Sequence, residues 1–262
     1  MKLFSFFNLG NTCYINSVVQ CIINDPCIIS CIINNPNTHS LLQDLVPDFT
    51  NDAEQIFKKY NLLNLINHFE SKFRRFQQHD AHEFLLEFLD TLKINIFTGI
   101  IKTCLKCTRC NKSSTRCEDF TTIDLCITQN NLVDNFMDYL QKENIHEYAC
   151  LTCKSNTLAT RKVYLEKLNK NLIVVLKKYD HLKRSMKYPF ENVKIRETST
   201  NLILNYSLYA VIYHVGNQDI GHYNCNVKIN GKWYFMDDET IILNESIRDD
   251  HENAYILFYK QN

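Results

Sequence analysis

Apolar residues change their spacing twice along the chain. From residue 1 to 98 they recur every three or four positions, the mark of helices with one buried face. From 99 to 170 the pattern loosens into polar turns, and from 171 to 262 it condenses into short runs such as Leu172–Leu176, Tyr206–Tyr213 and Ala254–Tyr259. Runs of that length read as strands. Helices first and strands later predict an α+β fold rather than a parallel α/β one.

Two helices can be placed closely. Asn11-Thr12 supplies N-cap side chains for a helix running from Cys13 to Ile22 and stopping at Asn24-Asp25-Pro26. Asp80 starts a second, in which Ala81, Phe84, Leu85, Phe88, Leu89 and Leu92 step by three and four. Glu83 stands three residues after Asp80, so the pair predicts a capping box. The polar run from Gln77 through Gln78 to Glu83 at that helix entrance also suits a cationic peptide.

The third region yields a register. Asn230-Gly231 between alternating runs predicts a two-residue type I′ hairpin turn. Residue 229 then faces 232, Asn224 faces Asp237, and His222 faces Glu239. His222 and Asp237 become diagonal neighbours, roughly 7–8 Å apart, on one face. Asp238 is expected on the other face with Tyr223 and Cys225, which selects Asp237 to orient the imidazole. Gly221 is expected to leave room for a substrate backbone. A His-Asp pair alone is more often a solvated polar face, so a nucleophile is needed to give it meaning. Cys13 falls in the first helical turn, where unpaired N–H groups and the helix dipole favour an anion, and Gly10 permits a sharp turn into it. A buried apolar cysteine is an equally good reading of Cys13 taken alone.

Composition narrows the class. Lys plus Arg and Asp plus Glu both number 29, so no bulk charge favours nucleic acid or an anionic membrane. The longest apolar run, Cys27 to Ile33, is far short of a bilayer span, and the first residues lack a signal-peptide pattern. An intracellular chain, in cytoplasm or nucleus, with reduced thiols is expected. Its 12 cysteines then point to metal or catalysis before disulfides. Cys107-x-x-Cys110 and Cys150-x-x-Cys153 have the spacing of a tetrahedral zinc site. Four thiolates leave no open coordination position, so one structural zinc per chain is expected and no catalytic metal. Cys104 also makes a C-x-x-C with Cys107, but the turn-like Arg109, Asn111 and Lys112 favour the 107/110 pair. Cys117 and Cys126 are alternates; Cys21, Cys27, Cys31 and Cys225 are expected in the core. His79 and His82 are discounted as ligands for want of an acidic or cysteine partner.

Taken together, these motifs resemble a known family. Asn8-Leu-Gly-Asn-Thr-Cys13-Tyr-Ile-Asn16-Ser-Val-Val-Gln20 is similar to the cysteine box of the ubiquitin-specific proteases, and Gln77-Gln-His-Asp-Ala-His-Glu-Phe-Leu85 to their second motif. Tyr209-Ala-Val-Ile-Tyr-His214, Gly221-His222-Tyr223, Trp233-Tyr-Phe-Met-Asp237-Asp238 and Ala254-Tyr-Ile-Leu-Phe-Tyr259 resemble the histidine box and closing strands. The family usually carries Gly-Leu where this chain has Ser5-Phe6, a packing change.

The resemblance implies one papain-like catalytic domain over 1–262. Its parts would be a helical thumb (1–98), zinc-binding β fingers (99–170) and a β-rich palm (171–262). It implies cleavage after the C-terminal glycine of ubiquitin, with Cys13 as nucleophile, His222 as base, Asp237 as orienter, Asn8 as oxyanion donor and Asp238 assisting. It further implies that Asp80, Glu83 and Gln78 hold the arginine-containing ubiquitin tail, and that Tyr223 lines the Gly-Gly channel beside Gly221. Ubiquitin and ubiquitinated proteins are the expected partners of a monomeric, bare catalytic core. A protease for a ubiquitin-like modifier and an inactive ubiquitin-binding module are the alternatives.

Overall fold

Apolar runs without alternation become strands buried on both faces, and the C-terminal runs do so here. The computed structural model describes residues 2–34, 41–42, 45, 48, 56–93, 95–177, 185–217, 220–249 and 252–262. Among these, the first stretch holds β1 (Lys2–Phe6), α1 (Cys13–Ile23), α2 (Pro26–Asn34), β2 (Ile56–Tyr60), α3 (Leu63–Phe69) and α4 (Ala81–Leu92). The middle holds β3 (Gly99–Cys107), β4 (Ser113–Phe120), β5 (Thr122–Cys126), α5 (Leu132–Leu140), β6 (Glu143–Cys150) and β7 (Ser155–Lys167). The last holds β8 (Asn171–Lys177), β9 (Val193–Arg196), β10 (Ile203–Gly216), β11 (Gly221–Ile229), β12 (Lys232–Asp237), β13 (Thr240–Asn244) and β14 (Ala254–Gln261).

An eight-stranded sheet runs β13-β12-β11-β10-β14-β8-β5, with β9 also on β10. Ile173 and Val175 of β8, Ile212 of β10 and Phe258 of β14 point into one core with α1 and α4. Leu172, Val174, Val211, Leu257 and Tyr259 point into a second core on the opposite face. Period-2 geometry therefore explains why these strands read as unbroken apolar runs. β5, from the cysteine-rich middle of the chain, joins this sheet parallel to β8 because Ile123 and Leu125 complete the second core. The remaining middle strands form a separate sheet, β4-β3-β7-β6.

The first 98 residues are not wholly helical. β1 and β2 pair in parallel, Lys2 with Ile56 through Phe6 with Tyr60. A short strand whose partner lies about fifty positions away has no local signature. α1 is buried along its whole length. Asn16 donates to Phe7 O, and Gln20 donates to Phe4 O, pinning the helix against the end and middle of the β1 segment. Ser5 and Phe6 are fully buried there, and the Ser5 hydroxyl has no hydrogen-bond partner among the described residues. No single helix among the described residues is long and apolar enough to cross a membrane.

Candidate active site

Thr12 occupies the N-cap of α1, but its side chain does not cap the helix as expected. Its Oγ1 instead accepts from Leu9 N at 2.9 Å. The first backbone bond into the helix is Asn16 N to Thr12 O at 3.0 Å. The N–H groups in the first turn of α1 therefore receive no side-chain cap from Thr12, an arrangement that suits an anion.

The opposite wall is the β11–β12 hairpin. Its turn is as predicted: Asn230 and Gly231 both have positive φ, at 50° and 80°. Ile229 faces Lys232, and pairing continues to Cys225 and Met236. The ladder stops there, short of the predicted facing of Asn224 with Asp237 and His222 with Glu239. Asp237 instead pairs with Thr240 across a tight turn in which Asp238 adopts φ 48°. His222 Nε2 and Asp237 Oδ1 nevertheless meet at 2.6 Å. With that nitrogen donating to the carboxylate, Nδ1 is the ring nitrogen left to exchange a proton with Cys13. Cys13 is the largest influence on the ring's protonation. Against the opposing effect of burial, Cys13 and Asp237 push the His222 pKa up to about 9.

Asp238 does not face away from this group. Its left-handed turn brings its carboxylate within 4.8 Å of the donor atoms of His222 and Asp237. β12 ends at Asp237, so strand-face alternation does not extend to Asp238. Asp238 is held by Asn8 Nδ2 and Asn16 Nδ2, both donating at 2.8 Å. Its own carbonyl accepts from Phe6 N at 3.0 Å. Asn8 Oδ1 accepts from Gly10 N at 3.1 Å and Thr12 N at 3.2 Å. Asn8 is thereby fixed beside the start of α1 with one amide hydrogen still to give. Asn16 was not singled out from sequence, although its place three residues after Cys13 puts both on one helix face.

The entrance of α4 forms a third wall. Asp80 caps the helix, its Oδ1 accepting from His82 N at 2.7 Å and Glu83 N at 3.1 Å. Glu83 is exposed, and Asp80 carries the cap. The second Asp80 oxygen accepts from Tyr255 OH at 2.7 Å, a partner the sequence pattern did not indicate. Gln78 reaches across the cleft, its Oε1 accepting from Gly221 N at 2.7 Å. An added Cβ at Gly221 would collide with the His214 ring. His214 stacks on buried Tyr223 with ring centroids 4.5 Å apart, and burial lowers its pKa. Burial also raises the Tyr223 and Tyr255 pKa values, with the Asp80 charge adding to both. His82 does have an acidic neighbour, Asp124 at 3.8 Å, contrary to expectation. Its two nitrogens are occupied by Thr122 and Lys177, so it offers no free ligand atom.

Far from this cleft, Cys107, Cys110, Cys150 and Cys153 bring their sulfurs within 4.8 Å of one another. Cys107 and Cys153 are 4.0 Å apart, and Cys110 and Cys150 3.7 Å. A tetrahedral ion with bonds of about 2.3 Å to sulfur requires sulfur–sulfur edges of this size. Each pair closes a hairpin, β3–β4 and β6–β7, and the four thiols can hold a metal ion. Cys104 lies within β3, away from the cluster, which settles the ambiguous knuckle. Cys117 and Cys126 are exposed on β4 and β5. Cys21 and Cys225 are buried as expected, but Cys27 is exposed and Cys31 half-buried. α2 is apolar nearly all round, so its pattern did not reveal which face would be covered.

A family model described as ubiquitin carboxyl-terminal hydrolase matches residues 4–259. Ubiquitin carboxyl-terminal hydrolase 17-like protein E of Mus musculus is 28% identical over 97% of this chain and 54% of its own length. Ubiquitin carboxyl-terminal hydrolase 42 of Homo sapiens is 26% identical over 96% of this chain and 22% of its own. The chain spans about half the length of the mouse relative. Among solved structures, the SAGA DUB module bound to monoubiquitin matches with TM-score 0.84 at 20% identity, covering 99% of this chain and 69% of that one. The SAGA Ubp8 DUB module bound to ubiquitin aldehyde matches at 0.82 and 21%, covering 99% and 70%. The chain belongs to the ubiquitin carboxyl-terminal hydrolase family, as the motifs that resemble the ubiquitin-specific proteases imply.

Proposed function

We propose that the chain is a thiol-dependent deubiquitinase that hydrolyses the bond after the C-terminal glycine of ubiquitin. The observation that carries this reading is the line Cys13–His222–Asp237, placed at the start of a buried helix. His222 Nδ1 takes the Cys13 proton, and the thiolate attacks the glycine carbonyl carbon. Asn8 Nδ2 and the N–H groups at the start of α1 receive the oxyanion; one such side-chain donor is worth roughly 10²–10³ in rate. The tetrahedral intermediate collapses, the C–N bond breaks, and His222 returns the proton to the departing amine. Water, deprotonated by the same ring, then attacks the acyl-enzyme and releases ubiquitin with a free carboxylate while Cys13 recovers its proton. Asp237 holds the ring in the tautomer these steps need.

Glu83 and the remaining acceptor capacity of Asp80 supply negative charge where a basic tail would lie, and Gln78, Gly221 and Tyr223 border its path. The four-cysteine cluster would hold a structural zinc ion, since four sulfur ligands in tetrahedral array suit that ion and leave it no catalytic position. The test is labelling by a ubiquitin carrying a C-terminal thiol-reactive warhead. Wild type should gain the mass of one ubiquitin and Cys13→Ala should gain none, while still binding ubiquitin. Labelling of Cys13→Ala would refute the nucleophile. A wild type that binds ubiquitin without reacting would be a binding module, and one that reacts only with a ubiquitin-like probe would be a protease for that modifier.

A further inference from the structure

The loop from Asn8 to Thr12 carries the oxyanion donor and leads into Cys13. It is bonded to itself through Asn8 Oδ1 and Thr12 Oγ1, so it moves as one piece. Asp238 holds one side of it through Asn8. The other side is held by Arg75 and Phe76, which lie just before α4 and belong to none of the walls described above. Phe76 N donates to Gly10 O at 3.1 Å, and Asn11 Nδ2 donates to Phe76 O at 2.9 Å. Arg75 Nη2 donates to Leu9 O at 3.4 Å, with its guanidinium 5.3 Å from the Phe76 ring centre.

Phe76 is out of place by local preference on two counts. Its φ is 64°, a left-handed conformation that a bulky residue rarely adopts. The residue is 71% exposed, so burial does not offset that strain. The ring lies on Gly10, whose φ is 102° and whose missing Cβ would stand 2.4 Å from Phe76 Cδ1. Strain held at a residue that covers one loop of a reactive site points to a function for that contact.

We propose that Phe76 is a positioning residue for acyl transfer: its ring, seated on Gly10, fixes the Asn8–Thr12 loop so that Asn8 and the start of α1 face the oxyanion. The role rests on the deubiquitinase reading. A small displacement of such donors lowers the rate without weakening ground-state binding.

Phe76→Asn isolates the ring, because asparagine tolerates the left-handed turn. Phe76→Tyr keeps the ring. With the full chain and a fluorogenic amide of the ubiquitin C-terminus, Phe76→Asn should lower kcat about 10–100-fold at unchanged KM and melting temperature. Affinity for ubiquitin aldehyde, whose thiol adduct presents the tetrahedral oxygen, should fall in parallel while affinity for ubiquitin holds. Phe76→Tyr should restore both. An active wild type matched by Phe76→Asn would overturn the role, as would a loss confined to KM and ubiquitin affinity, or failure of the tyrosine to rescue. Should Phe76→Asn fail to fold, Phe76→His, which also tolerates the turn and keeps a flat ring, should retain most of kcat, and its loss would overturn the role. A wild type that neither turns over nor binds ubiquitin aldehyde would overturn the deubiquitinase reading, and this role with it.

Discussion

Cys13 strengthens the hold of His222 on its proton, burial opposes it, and Asp237 adds to it, with a net pKa of about 9. An unfolded histidine titrates near 6.5. The folded value is the higher, so the stability this group contributes is fully present below about pH 6.5 and is lost as pH rises through about 9. The side chain is 42% exposed, and solvent screening keeps that contribution small. Asp237→Asn removes the charge but keeps the shape. The His222 ring should then titrate at lower pH by NMR, and kcat should fall by about 10²–10⁴-fold as the ring loses its orientation. Asp238 acts on different atoms, through Asn8 and Asn16. Asp238→Ala should lower kcat while leaving the His222 titration in place. Equal shifts in the two variants would make Asp238 a second partner of the imidazole. Sequence alone separated these two aspartates by strand face; the structure separates them by hydrogen-bond partner, because the chain turns left-handed at Asp238.

At the scale of elements, the entrance of α4 shows one motif serving two ends. Asp80 satisfies two orphan N–H groups of the helix and the hydroxyl of half-buried Tyr255. Asp80→Ala should therefore cost about 1–3 kcal/mol of stability in urea unfolding. Exposed Glu83 caps nothing, so Glu83→Ala should stay within about 0.5 kcal/mol while raising KM for ubiquitin substrates. A destabilising Glu83→Ala with unchanged KM would reverse that division of labour. The helix itself was legible because its capping residue and apolar spacing agree, and the hairpin because Asn-Gly fixes both its turn and its register. β1 and β2 were not legible, since their pairing is set by a distant contact. Nor was the Tyr255–Asp80 bond, which joins the last strand to a helix entrance 175 residues earlier.

Across the whole molecule, the site and the cysteine cluster rest on unequal foundations. Cys13 comes from a helix wholly inside the first core, and His222 from a strand packed against it. The four-stranded sheet meets the second core at its base, where Ile101, Phe120 and Leu165 touch it, and Ala159, Thr160 and Val163 of β7 are buried further out. Toward the tip, β4 and β6 are largely exposed, and burial returns at Cys107 and Cys150. Strands with so little buried surface have low local stability, and a bound ion would supply what packing does not. One zinc per chain is expected by elemental analysis, lost in Cys107→Ser and kept in Cys104→Ser. Stripping the ion should then abolish hydrogen-exchange protection in the outer halves of β3, β4, β6 and β7. β8, β10 and β14, buried on both faces, should stay protected, because their cores contain none of the four ligands. Protection unchanged in the outer strands would show that packing suffices there. Simultaneous loss across both sheets would show that the ion supports the catalytic layer as well.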